Sequence, residues 1–113
     1  MRKIEEKMIT AIQNKKNWSK DNTSVSVIIY SPEDTVILKQ ITHITVRLHS
    51  HEILNIINKQ LLLSDAGYQT KTTKSRLNAI LSLYDLGKIY SKDYQWYLND
   101  EEWTGSKEFE MDS

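Results

Sequence analysis

The chain has 113 residues, 39% hydrophobic and 27% charged, with zero net charge and no cysteine. That describes one domain of ordinary soluble composition, and it excludes a disulfide framework, a zinc–thiolate site and a thiol nucleophile. No apolar run approaches the roughly 20 residues of a membrane span, and the start, Met-Arg-Lys-Ile-Glu-Glu-Lys, lacks the apolar stretch of a signal peptide, so an intracellular protein without membrane contact is expected.

Residues 2–16 read as a helix, with Ile4, Met8, Ala11 and Ile12 on one face at 0, 4, 7, 8 spacing. Residues 14–22 are polar and end it, with Trp18 as a lid on the core edge. From Ser24 the pattern alternates: Val25, Val27 and Ile29 against Ser24, Ser26, Ile28 and Tyr30, a β-strand. Ser31-Pro32-Glu33-Asp34 has type I turn chemistry, with Pro presetting φ. Residues 35–48 are long enough for one bent strand or two. Ile44, Val46 and Leu48 face one way; His43, Thr45, Arg47 and His49 face the other, giving a half-buried strand with a partly basic outer face. After a turn at 49–52, residues 53–57 and 61–64 make two further strands around Asn58-Lys59-Gln60. The order so far is a helix, then an antiparallel meander.

Ser64-Asp65-Ala66-Gly67 breaks the pattern. A second helix begins near Thr72 or Thr73, both suitable N-caps, and buries Leu77, Ile80, Leu81 and Tyr84 before Gly87 stops it. Residues 88–91 and 94–98 read as a hairpin around Ser91-Lys92-Asp93, with Tyr94, Trp96 and Leu98 on one face and Gln95 and Tyr97 on the other. Residues 100–113 hold six acids against Lys107, about −5, which leaves about +5 on residues 1–99. The reading is a single α+β domain over 1–99 and a loose acidic tail over 100–113 that Trp103 and Phe109 could anchor. A tail of that charge could compete for the basic surface of the body.

Enzymatic signatures are missing. Three glycines supply no phosphate-cradling loop or dinucleotide fingerprint. There is no nucleophile elbow and no calcium-loop spacing, and no cofactor is implied. His49 and His51 would share a strand face, but His43 lies about 20 Å from His49 along an extended strand. Two histidines without a carboxylate in register make no metal centre, and a histidine acid or base would need a partner and a pocket.

The stretches KKNWSKDNTSV (15–25), VRLH (46–49), GYQTKTTKSRLNAIL (67–81) and SKDYQWYL (91–98) occur in that order. They resemble a family of small uncharacterised proteins of tailed bacteriophages, over most of residues 1–98. Thr-Thr-Lys-Ser-Arg-Leu-Asn is the most specific block. The region from Ile28 to Thr45 is longer than the family's usual strand pair. Where the family often has glycine after Leu-His, Ser50 stands here, without glycine's freedom for a tight turn. The resemblance implies a phage origin and carries no activity.

Lys71, Lys74 and Arg76 crowd the start of the second helix, where the dipole disfavours cations by about 0.3–1 kcal/mol each. A bound anion reverses that sign. Free backbone N–H groups, with hydroxyls of Thr70, Thr72, Thr73 and Ser75, complete the description of a phosphate site. A helix, a sheet and a second helix with a basic start are also the order of double-stranded-RNA-binding domains, an analogy of fold alone. The expected function is a non-enzymatic, nucleic-acid-binding phage accessory protein in the host cytoplasm. Lys71, Thr72, Thr73, Lys74, Ser75 and Arg76 would hold phosphates and Arg47 would extend the field. The competing expectations are that Lys74 lies over the core while Arg76 pairs with Asp65, Glu52 or the tail, that the protein grips a host protein, or that it forms a homo-oligomer through an edge left by residues 35–48.

Overall fold

The structure, a computed structural model, describes residues 1–31 and 40–111. Helix α1 spans Lys3–Asn14 and closes on Lys15 in the left-handed region, φ 52°. Strands β1 (Trp18–Lys20), β2 (Thr23–Tyr30), β3 (Ile41–Leu48), β4 (His51–Ile57) and β5 (Gln60–Ser64) follow. Then come α2 (Lys71–Leu83), β6 (Ile89–Lys92), β7 (Gln95–Leu98), β8 (Glu101–Glu102) and β9 (Ser106–Glu110). The fold is α+β, with an N-terminal helix, an antiparallel meander, a second helix and closing strands. Among the described residues no helix is long and apolar enough to cross a membrane.

A six-stranded antiparallel sheet runs in the order β1-β2-β3-β4-β5-β9, and β6-β7-β8 make a smaller one. Alternation places Val25, Ile44, Val46, Leu54, Ile56, Leu61 and Leu63 on one face of the large sheet. They are buried against Met8, Ala11 and Ile12 of α1 and Leu77, Ile80 and Leu81 of α2. Between Val46 and Arg47 the β3–β4 register shifts, because Ile53 is an extra residue on β4. Ile53 and Leu54 are consequently both buried. Among the described residues the other face carries no helix. There His43, Thr45 and Asn55 are joined by hydrogen bonds of 2.8–3.2 Å, and Arg47 reaches Ser26 at 3.2 Å and Glu52 at 3.5 Å.

Several expectations are corrected. Trp18 is half-buried, as a lid would be, but it opens a strand inside the stretch read as polar loop. The tail is not loose through residue 110. β9 pairs along β5 from Ser64↔Ser106 to Gln60↔Glu110, and Trp103 is buried. An aromatic–acidic alternation, with Phe109 half-buried and Glu108 and Glu110 outward, lets an acidic segment serve as an edge strand. β3 lies between β2 and β4 and offers no edge. The 31–34 turn and the first part of residues 35–48 fall outside the described residues. Tyr94 sits in the β6–β7 turn rather than on the strand face with Trp96 and Leu98. His49 and Ser50 form a tight turn at φ 52° and 68°, which Ser50 enters without being glycine.

Candidate nucleic-acid interface at the start of α2

Thr70, not Thr72 or Thr73, caps α2. Its Oγ1 accepts from the Thr73 N–H at 3.1 Å, the arrangement expected at an N-cap. The residue before Lys71 is extended, φ −102° and ψ 165°, which aims the threonine oxygen back at the first turn. No acidic residue occupies that turn.

Arg76 is not on the surface. It is 3% exposed and ion-paired to Glu5 of α1, Nη1 to Oε2 at 2.7 Å. Its Nε donates to Thr23 Oγ1 at 3.0 Å and its Nη2 to Asn22 Oδ1 at 3.3 Å. The Ser75 hydroxyl donates to the same Glu5 oxygen at 2.5 Å. Thr73 is 2% exposed. Of the expected partners for Arg76, Glu52 lies on the other face with Arg47 and Asp65 is committed elsewhere. The partner is Glu5, which shares a helical face with Met8 and Ile12 at 0, 3, 7 spacing. Among the described residues every buried side-chain nitrogen and oxygen has a partner. The Arg76 cluster is therefore a closed structural joint between α1, α2 and the β1–β2 turn.

The joint has a geometric consequence. Glu5 in the first turn of α1 meets Ser75 and Arg76, while Ile12 and Gln13 border the same hollow as Leu83 and Tyr84. The two helices thus run in the same direction and start at the same end of the molecule. Exposed Arg2 and Lys3 open one; exposed Lys71 opens the other. Lys74 is half-buried and holds its ammonium 5.9 Å from the centre of the Trp96 ring, a cation–π distance. The β1–β2 turn at Asp21 and the β3–β4 turn at His49 and Ser50 lie at this end too, since the His49 N–H donates to Asn22 O at 2.7 Å. Arg47 is on the open sheet face, tied to Ser26 and Glu52, and is not brought into the group.

Beside the start of α2 is a cleft of about 330 Å³ bordered by Leu48, His49, His51, Ile53, Tyr68 and Thr72, among others. The His51 and Tyr68 rings lie 4.9 Å apart, tilted by 33°. Asp65 also borders the cleft, but it is buried and takes three donors: Gly67 N–H at 2.8 Å, Gln69 Nε2 at 3.2 Å and Trp103 Nε1 at 2.9 Å. Sequence reasoning placed His49 and His51 together but not in a cleft with Tyr68. The tight turn at 49–50 and the bulge at Ile53 bring them there. No group of three metal-ligating side chains occurs among the described residues.

No curated protein matches the chain, and no solved structure does. A family model described as Kyanoviridae Gp96 protein matches residues 1–113. With the whole chain covered, the protein belongs to the Kyanoviridae Gp96 protein family, a family of phage proteins.

Proposed function

We propose that this phage protein is a non-enzymatic accessory factor of the host cytoplasm that binds the phosphate backbone of nucleic acid where α1 and α2 both begin. The observation that carries the reading is the shared direction of the helices. Two dipoles present their positive ends side by side, and Arg2, Lys3, Lys71 and Lys74 add formal charge to that end. Within the basic block the roles divide. Thr70 and Thr73 form the cap of α2 and Ser75 and Arg76 the joint with Glu5, while Lys71, Thr72 and Lys74 serve the ligand. The test is the salt dependence of oligonucleotide binding. Each neutralised phosphate contributes roughly 0.7–0.9 to the slope of log K against log salt. A Lys71→Glu/Lys74→Glu variant should bind more weakly at every salt concentration and with a shallower slope. A wild-type protein that binds neither DNA nor RNA at low salt would overturn the reading.

A second reading is favoured by a separate surface. On the helix-free face of the large sheet Ile28 is 56% exposed, Tyr30 44%, Ile57 38% and Leu62 36%. Ile28, His43 and Ile57 align across β2, β3 and β4, so the residues form one apolar patch, of the kind that marks protein contacts. It suits a host protein that the phage inhibits or redirects. In a nuclease-treated host extract, one stoichiometric partner retained by wild type and lost by Ile28→Ser/Ile57→Ser would support it. Equal retention by both would count against it.

A further inference from the structure

We propose that the cleft at the start of α2 receives an unstacked nucleobase, so that the preferred ligand is a single strand; the inference rests on the nucleic-acid reading above. Its basis is the cleft and two exposed aromatic rings rather than the helix start. The cleft has an apolar floor from Leu48 and Ile53 and a wall made by the Tyr68–His51 ring pair. Tyr68 is 53% exposed, so its side chain is accessible to a ligand. The volume of about 330 Å³ exceeds that of a single base. Asp65, the acid that borders it, has both oxygens engaged by N–H donors.

The second ring is Tyr94. It is fully exposed and held at φ 67° in the turn between β6 and β7. A bulky residue in that region is uncommon and strained. Two contacts fix where it lies. Asn78 bonds both the N–H and the carbonyl of Ile89, at 2.7 and 2.9 Å. Lys74 covers Trp96, which pairs with Ser91. The hairpin therefore runs antiparallel to α2, and two residues of strand keep pace with about four of helix. Continued to the turn, that pace brings Tyr94 and Lys92 level with the first turn of α2. Measured along the helix axis, Tyr94 and Lys92 are thus level with the end that carries Tyr68, Lys71 and Lys74, and Asp93 adjoins Tyr94 in the turn. Exposed rings among cations are how sequence-tolerant single-strand binders hold bases and backbone together. A duplex keeps its bases stacked and cannot enter such a cleft.

The test compares a short oligothymidylate, the same length of abasic deoxyribose-phosphate strand and a duplex, by fluorescence anisotropy at fixed salt. The oligothymidylate should bind at least about 5-fold more tightly than the abasic strand, the lower end of what one stacked base supplies. Tyr68→Ala and Tyr94→Ala should lose that advantage and keep the wild-type salt slope, while Tyr68→Phe retains it. Equal binding of abasic and base-bearing strands by wild type would overturn the inference while leaving backbone binding intact, and needs no variant to fold. Absence of binding to all three probes would instead remove the nucleic-acid reading itself, and this inference with it.

Discussion

Replacing Arg76 by methionine isolates the joint between the helices. Both partners are nearly inaccessible, with side chains 4% and 3% exposed. The substitution keeps a long apolar stem but removes the donors to Glu5, Thr23 and Asn22. Glu5 is then left buried with only the Ser75 hydroxyl, and stranding one member of a buried pair costs about 3–5 kcal/mol. Against a total stability of about 5–15 kcal/mol this is a large fraction. With an unfolding entropy of about 2.1 cal/mol/K per residue, it lowers Tm by roughly 13–21 °C. Urea denaturation followed by the fluorescence of buried Trp96 and Trp103 reads the change in midpoint. The double variant Glu5→Met/Arg76→Met removes both charges and should recover most of the loss, because well-packed apolar replacements of buried pairs are often neutral or stabilising. An Arg76→Met midpoint equal to wild type, or a double variant no better than the sum of the singles, would refute the assignment of Arg76 to the scaffold.

Further outcomes follow from single positions. Gly87 stands at φ +119° with Asn99 packed where a Cβ would go, and Asn99 bonds Leu86 O and Lys88 N–H; Gly87→Ala should cost at least about 2 kcal/mol in chemical denaturation. Trp103→Ala, which empties a buried site and takes a donor from Asp65, should cost about 3–5 kcal/mol. Ser50→Gly relieves a left-handed serine in a tight turn and should raise stability by about 0.5–1 kcal/mol. Tyr90 donates to Asp100 at 2.5 Å, and that bond, with lesser help from desolvation and the nearby charge, raises its phenol above the ordinary value of 10.0. A raised phenol favours the folded state below pH 10 and loses that contribution as pH climbs through the shifted value; burial also raises the Tyr84 phenol, so ultraviolet titration should show two late-ionising tyrosines in wild type and one in Tyr90→Phe.

Periodicity carried much of the fold. The apolar spacing of Ile4 to Ile12 and of Leu77 to Leu81, and the alternation from Val25 to Ile29 and from Ile44 to Leu48, are local signals that tertiary packing left intact. The misses have physical reasons. Glu108 and Glu110 read as tail because charge outweighs alternation in a short segment, yet an edge strand needs only one apolar side. Arg76 read as a surface cation because its partner, Glu5, is 71 residues away in sequence. The 0, 3, 7 placement of Glu5 beside Met8 and Ile12 was the available hint of burial. The basic block was correctly located as the start of a helix, but half of it faces inward. The cleft with His49, His51 and Tyr68 depends on a bulge and on left-handed turn residues, which alternation does not encode.

The central claim is that the shared start of α1 and α2 holds a phosphate backbone. Its most direct test is the salt dependence of single-stranded oligonucleotide binding by wild type and by Lys71→Glu/Lys74→Glu, both confirmed folded by tryptophan fluorescence. The account predicts tight binding at low salt for wild type, with the variant weaker throughout and its log–log slope shallower by about 1.4 at the single-strand value per phosphate. Superimposable binding curves for the two proteins would contradict it.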